Sequence, residues 1–404
     1  MSEFTMVRFS EMATQVKTKV KPAETDLDRY VGLEHLDPES LHIRRWGVPG
    51  DVTGEKIVVQ KGDIIFGKRR AYQRKVAIAD FDCICSAHAM VLQPKEDVII
   101  RELFPFFLQS DLFMNRAVQI SVGGLSPTIN WKDLARQEFP LPPIEEQRRI
   151  AKVLWAAEDV IVKDEALVAE AEHYKQVMMR ELFSKGIGHE EFREVKRGFK
   201  LPVGWKLEKI DNLSEVRGGL QKSKDRAPKD NPRRYLTVAH VQKDNIDFGD
   251  PRYFEVSDAE LEQYRLEAGD VLVVEGNGNL EELGRSAIFN GEIEDCVYQN
   301  MIIRIRPKDD SLISQYVCQY LNSPLGHRSV VKNGMSSSGL FHLGVERLMK
   351  IEIPIPPLPE QRQIASILSA IDDTIAAARA SVEASKALKM RLINQLLSPD
   401  EETA

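Results

Sequence analysis

The chain lacks the residue clusters on which most catalytic and metal sites depend. Its eight histidines lie scattered, without an HExxH motif or a Cys/His cluster. The Asn/Asp-Pro-Pro-Tyr/Phe motif of amino-group DNA methyltransferases is absent, and no acid pair with an ExK-type lysine stands out as a nuclease centre. Four cysteines form neither a CxxC pair nor a metal-ligand spacing: Cys83, Cys85, Cys296 and Cys318. We therefore expect reduced structural cysteines, no metal, no cofactor and no covalent chemistry.

Long apolar runs and an excess of positive charge are also missing. No run of eighteen apolar residues occurs, so we expect no membrane span. The first residues mix Glu3, Arg8 and Glu11 before any apolar run, so no secretory signal is visible and a cytoplasmic location is expected. The net charge of −7 argues mildly against a nucleic-acid binder, although this sum hides local contrasts. A length of 404 residues leaves room for two or three domains.

One segment is present twice. Residues 140–154 return as residues 354–368, a shift of 354 − 140 = 214, with nine of the fifteen positions identical. The same shift holds without a gap as far as Ser184 and Ser398. An internal repeat of this kind governs how the whole fold must be interpreted.

Each copy predicts a long helix. A Pro-Pro pair keeps the lead-in extended, and acidic residues follow at the helix start, where the helix dipole favours them. Asp164 and Lys175 interrupt the apolar seam of the first copy. Otherwise apolar residues step by four and three, as in a coiled coil: Ile150, Leu154, Ala157, Ile161, Val168, Ala171, Met178 and Leu182, then Ile364, Leu368, Ile371, Ile375, Ala378, Val382, Leu392 and Leu396.

Two copies of one helix can pack antiparallel about a pseudo-twofold axis, as an isologous dimer does. Forty helical residues span about 60 Å, so the pair would hold whatever precedes each copy at a fixed separation. The alternative is two unrelated helices inside separate cores.

The segments before the two helices also correspond. In the first, strands are predicted within residues 30–35, 55–66, 76–79 and 90–92, a helix over 104–118 and a loop over 121–127. A polar connector, residues 187–200, precedes a second α/β segment that opens with Leu201-Pro-Val-Gly-Trp205. Three landmarks recur in order: Arg29-Tyr30 and His35 at a shift of 205, and Gly62-Asp63 at a shift of 207.

The predicted fold is therefore α/β, with two similar α/β domains separated by two long helices packed as an antiparallel coiled coil, in a pseudo-twofold internal repeat. The predicted divisions are residues 1–139, the repeated helix region 140–186, the connector and second α/β domain 187–353, and the second helix region 354–404. The helices diverge less than the domains, which indicates that the domains recognise two different things.

Two glycine-rich stretches fail as cofactor sites. Gly62 to Lys68 has the GxxxxGK spacing, but Arg69 follows where a Mg²⁺-binding Ser or Thr is needed, and the intervening residues favour a strand. The stretch Glu275-Gly-Asn-Gly-Asn279 has no third glycine and is better interpreted as a flexible loop. His35 and His240 correspond across the repeat, and a structural role at a strand end is favoured for both.

Basic residues gather in two irregular segments. The first basic turn comprises Lys68, Arg69, Arg70, Tyr72, Arg74 and Lys75, and the second basic segment comprises Lys222, Lys224 and Arg226, with Arg233 and Arg234 following it. Such clusters suit phosphate contacts, which give affinity without sequence information. Polar loop residues could read bases: Asn277, Asn279, Arg285, Asn333, Ser336 and Ser337. The competing interpretation is that all of these are solvated surface residues.

The duplicated Pro-Pro-x-x-Glu-Gln-Arg helix start, the Leu201-Pro-Val-Gly-Trp205 segment and the strand Lys61-Gly-Asp-Ile-Ile65 resemble the specificity subunit of type I restriction–modification systems. The resemblance covers essentially the whole chain. It implies two target-recognition domains, each reading one half of a split double-stranded DNA target, and a coiled coil that sets the distance between the halves. It implies no catalytic residues in this subunit.

The resemblance also implies partners. Two methyltransferase subunits would dock on the helical and repeated regions, and restriction subunits with ATP-driven translocation and cleavage can join them. By position, the helix starts implicated in assembly contain Glu146, Gln147, Ile150 and Leu154, with Glu360, Gln361, Ile364 and Leu368. Two alternatives stay open, namely the recognition part of a single-chain restriction–methylation enzyme and a coiled-coil adaptor that binds only proteins.

Overall fold

The structure of the chain, a computed structural model, describes residues 4–277, 279–337 and 340–398. The chain divides into two compact units. The first unit joins the residues up to Ala166 with those from Ala378 onward, and the second unit is Leu167–Ala377. Each of the two long helices therefore contributes residues to both units.

The first unit contains an α/β region of short strands and helices. Its strands are β1 (Thr5–Arg8), β2 (Ala13–Gln15), β3 (Lys19–Val20), β4 (Tyr30–Val31), β5 (Lys56–Val59), β6 (Ile64–Phe66), β7 (Val76–Ile78), β8 (Cys83–Cys85), β9 (Met90–Pro94) and β10 (Glu138–Leu141). Its short helices are α1 (Phe9–Met12), α2 (Phe104–Gln109), α3 (Asp111–Gln119) and α4 (Trp131–Leu134), and the long helix α5 (Ile144–Lys185) follows.

The second α/β region lies in the second unit. Its strands are β11 (Phe192–Lys196), β12 (Phe199–Pro202), β13 (Lys206–Lys209), β14 (Ser214–Gly218), β15 (Pro232–Leu236), β16 (Tyr253–Glu255), β17 (Asp270–Val274), β18 (Gly276–Asn277), β19 (Ser286–Phe289), β20 (Val297–Tyr298), β21 (Ile302–Pro307), β22 (Met335–Ser337), β23 (Leu340–His342) and β24 (Glu352–Ile355). Its short helices are α6 (Ile210–Leu213), α7 (Asp258–Tyr264), α8 (Ser314–Asn322), α9 (Pro324–Asn333) and α10 (Val345–Met349), and the second long helix is α11 (Leu358–Leu397).

The two α/β regions share the strand order of their main sheet and two further strand pairs. The sheet order β2-β9-β6-β7 in the first corresponds to β14-β21-β17-β19 in the second. The parallel pair β4–β8 corresponds to β15–β20, and the pair β1–β10, which leads into the long helix, corresponds to β13–β24. The glycines before β6 and β17, Gly62 and Gly269, both adopt left-handed φ angles, 93° and 95°. The landmarks at shifts of 205 and 207 therefore mark equivalent places in two copies of one fold.

The corresponding histidines are structural. The backbone N–H of Gly32 donates to His35 Nδ1 at 3.0 Å, and that of Thr237 donates to His240 Nδ1 at 2.9 Å. The segment from Gly62 to Lys68 forms β6 and the start of a hairpin rather than a phosphate loop before a helix. The segment from Gly62 to Lys68 therefore lacks the geometry of a phosphate-binding loop.

Two predicted elements are broken in the structure. The helix predicted over 104–118 is two helices, because Ser110 is extended with a ψ of 152° and its side chain caps α3 by accepting from the Phe113 N–H. The strand predicted over 30–35 is limited to β4, since Leu33–His35 turns into a 3₁₀ helix. In both places the apolar pattern is correct, and a local hydrogen bond ends the element early.

The long helices begin by burying their first apolar residues in the α/β cores. In the first unit, Ile150 and Leu154 of α5 join the same core as Ile393 and Leu397 of α11. In the second unit, Ile364 and Leu368 of α11 share a core with Met179, Leu182 and Phe183 of α5. Each unit therefore contains the beginning of one long helix and the end of the other.

A buried glutamine fixes each helix start. Gln147 accepts a bond from the Ile100 N–H and donates to the carbonyls of Val98 and Pro142, all at 3.0 Å. Gln361 makes the equivalent bonds, accepting from the Ile313 N–H at 3.1 Å and donating to the carbonyls of Ser311 and Pro356 at 3.0 Å. Each glutamine is 1% exposed, so water does not compete for these backbone groups.

Replacing Gln147 or Gln361 by alanine should destabilise the unit that contains it. Each change leaves buried backbone groups without a partner, which costs about 1–3 kcal/mol of the free energy of unfolding. Chemical denaturation followed by circular dichroism measures this loss. The matched control is Gln363→Ala, an exposed glutamine on the same helix as Gln361, whose removal should change stability by less than about 0.5 kcal/mol. Equal effects at all three positions would contradict the structural role.

Candidate nucleic-acid interface

The first basic turn connects β6 to β7 and is fixed by its neighbours. Arg70 and Arg74 adopt left-handed φ angles of 57° and 54° on either side of a 3₁₀ turn. The Arg70 N–H donates to the Pro127 carbonyl at 2.7 Å, and the Ile129 N–H donates to the Lys68 carbonyl at 3.0 Å. The turn and the loop 121–129 therefore form one surface, which we call the first loop surface.

The cations at the start of this turn have no carboxylate partner. In the described part of the chain no ion pair involves Lys68, Arg69 or Arg70. Arg69 Nη1 lies 3.2 Å from His88 Nε2, and Arg70 Nε donates to Ser126 Oγ at 3.3 Å. Partial burial lowers the pKa of His88, and the charges of Arg69 and Lys68 lower it further. Burial also lowers the pKa of Lys68. This is a locally positive surface on an acidic protein.

Exposed apolar side chains accompany these cations. Tyr72 is 55% exposed, Val122 is 67% exposed and Leu125 is 96% exposed. Leu125 follows Gly123 and Gly124, in a loop that the backbone bonds between Val122 and Thr128 close. Large apolar groups exposed together beside cations are typical of a binding surface. The sequence identified this segment as a loop but gave no sign that Leu125 would be exposed.

The last two cations of the turn are held inside the protein. Arg74 pairs with Asp111 at 2.7 Å and donates to the Gln109 carbonyl at 2.6 Å. Lys75 donates to the Leu33 carbonyl at 2.7 Å. These bonds shape the turn. That Arg74 and Lys75 contact DNA stays a prediction, and the geometry supports it less than for Lys68 to Arg70.

The second basic segment divides in the same way. Lys222 and Lys224 are exposed, whereas Arg226 donates to Glu260 at 2.7 Å and to the Gln221 carbonyl at 3.1 Å. The segment precedes β15, so it does not occupy the place equivalent to the first basic turn. That place is the chain after β17.

The chain after β17 repeats the pairing of the first loop surface. The isolated bridge of Arg69 with Thr128 in the first region corresponds to the pairing of β18 with β23 in the second. Asn277, Ser336 and Ser337 lie in this small sheet, and their side chains are outside what the structure describes. Asn279 is exposed, and its side chain accepts from the Glu281 N–H at 3.1 Å.

Two further predicted base-reading residues have partners within the protein. Arg285 donates to the carbonyls of Val241 and Val238 at 2.7 and 2.8 Å and pairs with Glu282. Asn333 donates to the Ser329 carbonyl one helical turn earlier, at 2.8 Å. DNA contact by either residue stays a prediction that would require these bonds to be exchanged.

Most of the residues predicted to bind partners are buried inside the chain. This holds for Gln147, Ile150, Leu154, Gln361, Ile364 and Leu368. Glu360 accepts bonds from Trp205 Nε1 at 2.9 Å and from the Ile187 N–H at 3.0 Å, and its Oε1 lies 2.8 Å from His189 Nε2. Glu146 is partly exposed and pairs with Arg149 at 2.9 Å. Partner contact at these positions stays a prediction, and their observed contacts hold the helix starts in place.

Within the described ranges, no group of three His, Cys, Asp or Glu side chains is arranged to hold a metal ion. Among the same residues, no helix combines the length and the apolar character that crossing a membrane requires.

The ion pair between Arg226 and Glu260 predicts how the Glu260 carboxyl group titrates in acid. The hydrogen bond from Arg226, with a further bond from the Ser257 N–H, lowers the pKa of Glu260 to about 2. A lowered carboxyl pKa stabilises the fold above the unfolded value near 4.3, and the contribution is lost as the pH falls toward 2. Arg226→Ala should raise the Glu260 pKa, as followed by carboxyl ¹³C shifts. Arg252→Ala, which removes an exposed pair with Asp250, should leave it unchanged. An unshifted Glu260 in Arg226→Ala would contradict the pairing.

Comparison with known proteins identifies the family. The family model "Type I restriction modification DNA specificity domain" matches residues 40–167 and 202–383. The EcoKI specificity subunit of Escherichia coli K12 is 26% identical over 289 residues, which covers 70% of this chain and 61% of that relative. The MjaVIII specificity subunit of Methanocaldococcus jannaschii is 23% identical over 412 residues, covering 98% of this chain and 92% of that subunit.

A solved structure shows the same fold. It concerns complex assembly and conformational transition of the type I R-M system, and its matching chain is 22% identical with a TM-score of 0.62 over 98% of both chains. The family model covers most of both α/β regions and extends into both long helices, and it matches well over half of the chain. The resemblance read from the duplicated helix start is therefore confirmed: this chain belongs to the family of type I restriction–modification DNA specificity subunits.

Proposed function

We propose that this chain is the non-catalytic subunit that gives a type I restriction–modification complex its DNA sequence specificity. Each α/β region would bind one half of a bipartite double-stranded target. The observation that carries the proposal is that one topology occurs twice while its loop surfaces differ. After β6 the chain carries Lys68, Arg69 and Arg70, and at the equivalent place after β17 it carries Asn277 and Asn279.

The first loop surface has the chemistry that double-stranded DNA requires. Unpaired lysine and arginine side chains bind phosphates, and an arginine can bind the guanine edge with two hydrogen bonds. Apolar side chains such as Leu125 contact thymine methyl groups or enter between base pairs. The net charge of −7 opposes tight binding by the isolated chain, so partner subunits would contribute positive charge to the full interface.

We also propose that α5 and α11 form an antiparallel coiled coil that sets the distance between the two half-sites. Within the first unit, Glu158 of α5 bonds Lys389 of α11, and Asp164 bonds Ser381. Residue numbers therefore rise along one helix while they fall along the other. Within the second unit, Lys175 of α5 bonds Asp372 of α11. This proposal includes a pseudo-twofold axis and the predicted domain boundaries at residues 139/140, 186/187 and 353/354.

Methyltransferase subunits would dock on a second apolar stripe of α5. Val153, Val160, Leu167 and Tyr174 follow one another at intervals of seven and are 46%, 48%, 52% and 53% exposed. A heptad spacing places them along one line of the helix, so they match a helix supplied by a partner. We add this stripe to the predicted helix-start residues as a candidate docking surface for two methyltransferase subunits, and restriction subunits would join through that complex.

Neutralising the first basic turn tests DNA binding. The variant Lys68→Gln/Arg69→Gln/Arg70→Gln should bind all duplexes more weakly, with a smaller dependence on salt. The slope of log K against log salt should decrease by about 0.9 for each phosphate that the variant no longer neutralises. Electrophoretic shift assays across a salt series measure both quantities, alone and with a methyltransferase partner.

The control for this variant is Arg148→Gln/Lys152→Gln/Lys163→Gln. It removes the same charge from exposed positions on α5 and should leave the salt slope of the isolated chain unchanged. A wild-type chain that binds no duplex even with its partner would favour a protein-only adaptor. Equal affinities for both triple variants would show that the first loop surface is not the contact.

Charged residues in the exposed stripe should block assembly. Val153→Glu/Val160→Glu buries two carboxylates in the proposed interface, so association with the methyltransferase subunit should weaken about tenfold or more. Analytical ultracentrifugation measures the association, and the melting temperature of the isolated chain should stay unchanged, because both residues are exposed. The control Lys152→Glu/Lys163→Glu lies on the same helix outside the stripe. Normal assembly of the valine variant would exclude this stripe.

A further inference from the structure

Two buried lysines occupy equivalent positions in the two long helices. Lys175 of α5 and Lys389 of α11 are related by the shift of 214, and they are 7% and 1% exposed. Their carboxylate partners on the other helix, Asp372 and Glu158, are related by the same shift. The same ion pair between helices is therefore present once in each unit.

In the first unit the lysine joins three elements. Lys389 Nζ donates to Glu158 Oε2 at 2.8 Å and to the backbone carbonyl of Glu39 at 2.9 Å. Glu39 belongs to the α/β region, while the other two residues belong to α11 and α5. Burial acts to raise the pKa of Glu158, but His42 and Lys389 lower it overall, so this carboxylate is charged inside the protein. One ammonium group thus bonds both helices and the α/β region.

In the second unit the equivalent lysine also joins both helices to the α/β region. Lys175 Nζ lies 2.5 Å from Asp372 Oδ1 on α11 and 2.7 Å from Asp244 Oδ2 in the α/β region. Burial acts to lower the pKa of Lys175, but Asp244 and Asp372 together raise it, so the lysine stays charged. Asn322 also donates to Asp244 at 2.6 Å and ties the contact to α8.

The contact points in the α/β regions are themselves equivalent. Glu39 and Asp244 differ by the shift of 205 that relates the landmarks of the two regions. Both are non-glycine residues in the left-handed conformation, with φ angles of 60° and 62°. This conformation is uncommon for such residues and is kept only where the surroundings fix it. In the first unit the lysine binds the backbone carbonyl of the residue in this conformation, and in the second unit it binds the side chain of that residue.

Stability alone does not account for a buried ion pair. The free-energy cost of removing two charges from water cancels much of the free energy that their attraction provides. Well-packed apolar residues at the same positions often stabilise the fold as much or more. A buried polar pair does restrict how elements pack, since every other arrangement leaves a charge without a partner.

We propose that Lys389 and Lys175 are positioning residues that fix each recognition region on the helix pair, and that they thereby set the spacer length accepted between the two half-sites. The inference rests on the proposed function. It assigns the discrimination between spacer lengths to particular residues. The length of the helices alone would set only an approximate distance between the two half-sites.

The test replaces the charged groups by apolar groups of similar shape. The variants are Glu158→Leu/Lys389→Met in the first unit and Asp372→Leu/Lys175→Met/Asp244→Asn in the second. The control is Glu181→Leu/Lys185→Met, which makes the same replacements at an exposed pair within α5. Each full-length chain is assembled with its methyltransferase subunits. Methylation is then measured on the mapped target and on duplexes with the spacer one base pair longer or shorter.

Wild type and control should methylate the natural spacer at least tenfold faster than either altered spacer. The apolar variants should stay folded, and the difference between spacers should shrink to threefold or less. Lys389→Arg, which keeps the charge and the donors, should retain discrimination. If the apolar double variant of the first unit does not fold, Glu158→Gln is used for the same measurement, because it removes the carboxylate charge and keeps the shape of the side chain.

The outcomes separate the two levels of the proposal. Variants that discriminate spacers as sharply as wild type would overturn the positioning role while leaving the proposed function intact. A wild-type complex without any sequence or spacer preference would contradict the proposed function itself.

Discussion

The burial of each helix start against its own α/β region is the constraint on which the rest of the structure depends. Ile150 and Leu154 in one unit, and Ile364 and Leu368 in the other, are fully enclosed in the cores. The buried glutamines beside them bind backbone groups of the chain that precedes each helix. An α/β region therefore cannot swing freely about its helix, so its loops are presented in a defined direction.

Charge is distributed so that one chain can be acidic overall and still have a locally positive surface. The first loop surface concentrates cations that lack carboxylate partners, whereas Arg74, Arg226 and Arg285 are bound to acids or carbonyls of the protein. Lys175 and Lys389 are buried, and their charges are balanced by carboxylates of the protein. The described cations of this chain thus differ in their surroundings: some lack a carboxylate partner, some are bound by acids or carbonyls near the surface, and two are paired in the interior.

The repeat allowed much of this fold to be predicted from the sequence. A shift of 214 without gaps predicted both long helices, and the landmarks at shifts of 205 and 207 located equivalent turns. The partners of individual side chains could not be predicted, because they come from distant parts of the chain. Lys175 looked like an interruption of an apolar seam, yet it pairs with Asp244 and Asp372. Arg226 looked available for phosphate, but Glu260 binds it, and the exposure of Leu125 depends on how its loop packs.

We propose centrally that two α/β regions with a shared fold and different loop surfaces read two separated segments of one duplex. The most direct measurement is to map methylated adenines in DNA exposed to the chain with its methyltransferase subunits, before and after exchanging residues 68–75 and 121–129 for those of another family member. The account predicts two defined segments separated by a fixed number of unspecified base pairs, with only one segment changed by the exchange. A single continuous target, or a change in both segments, would contradict it.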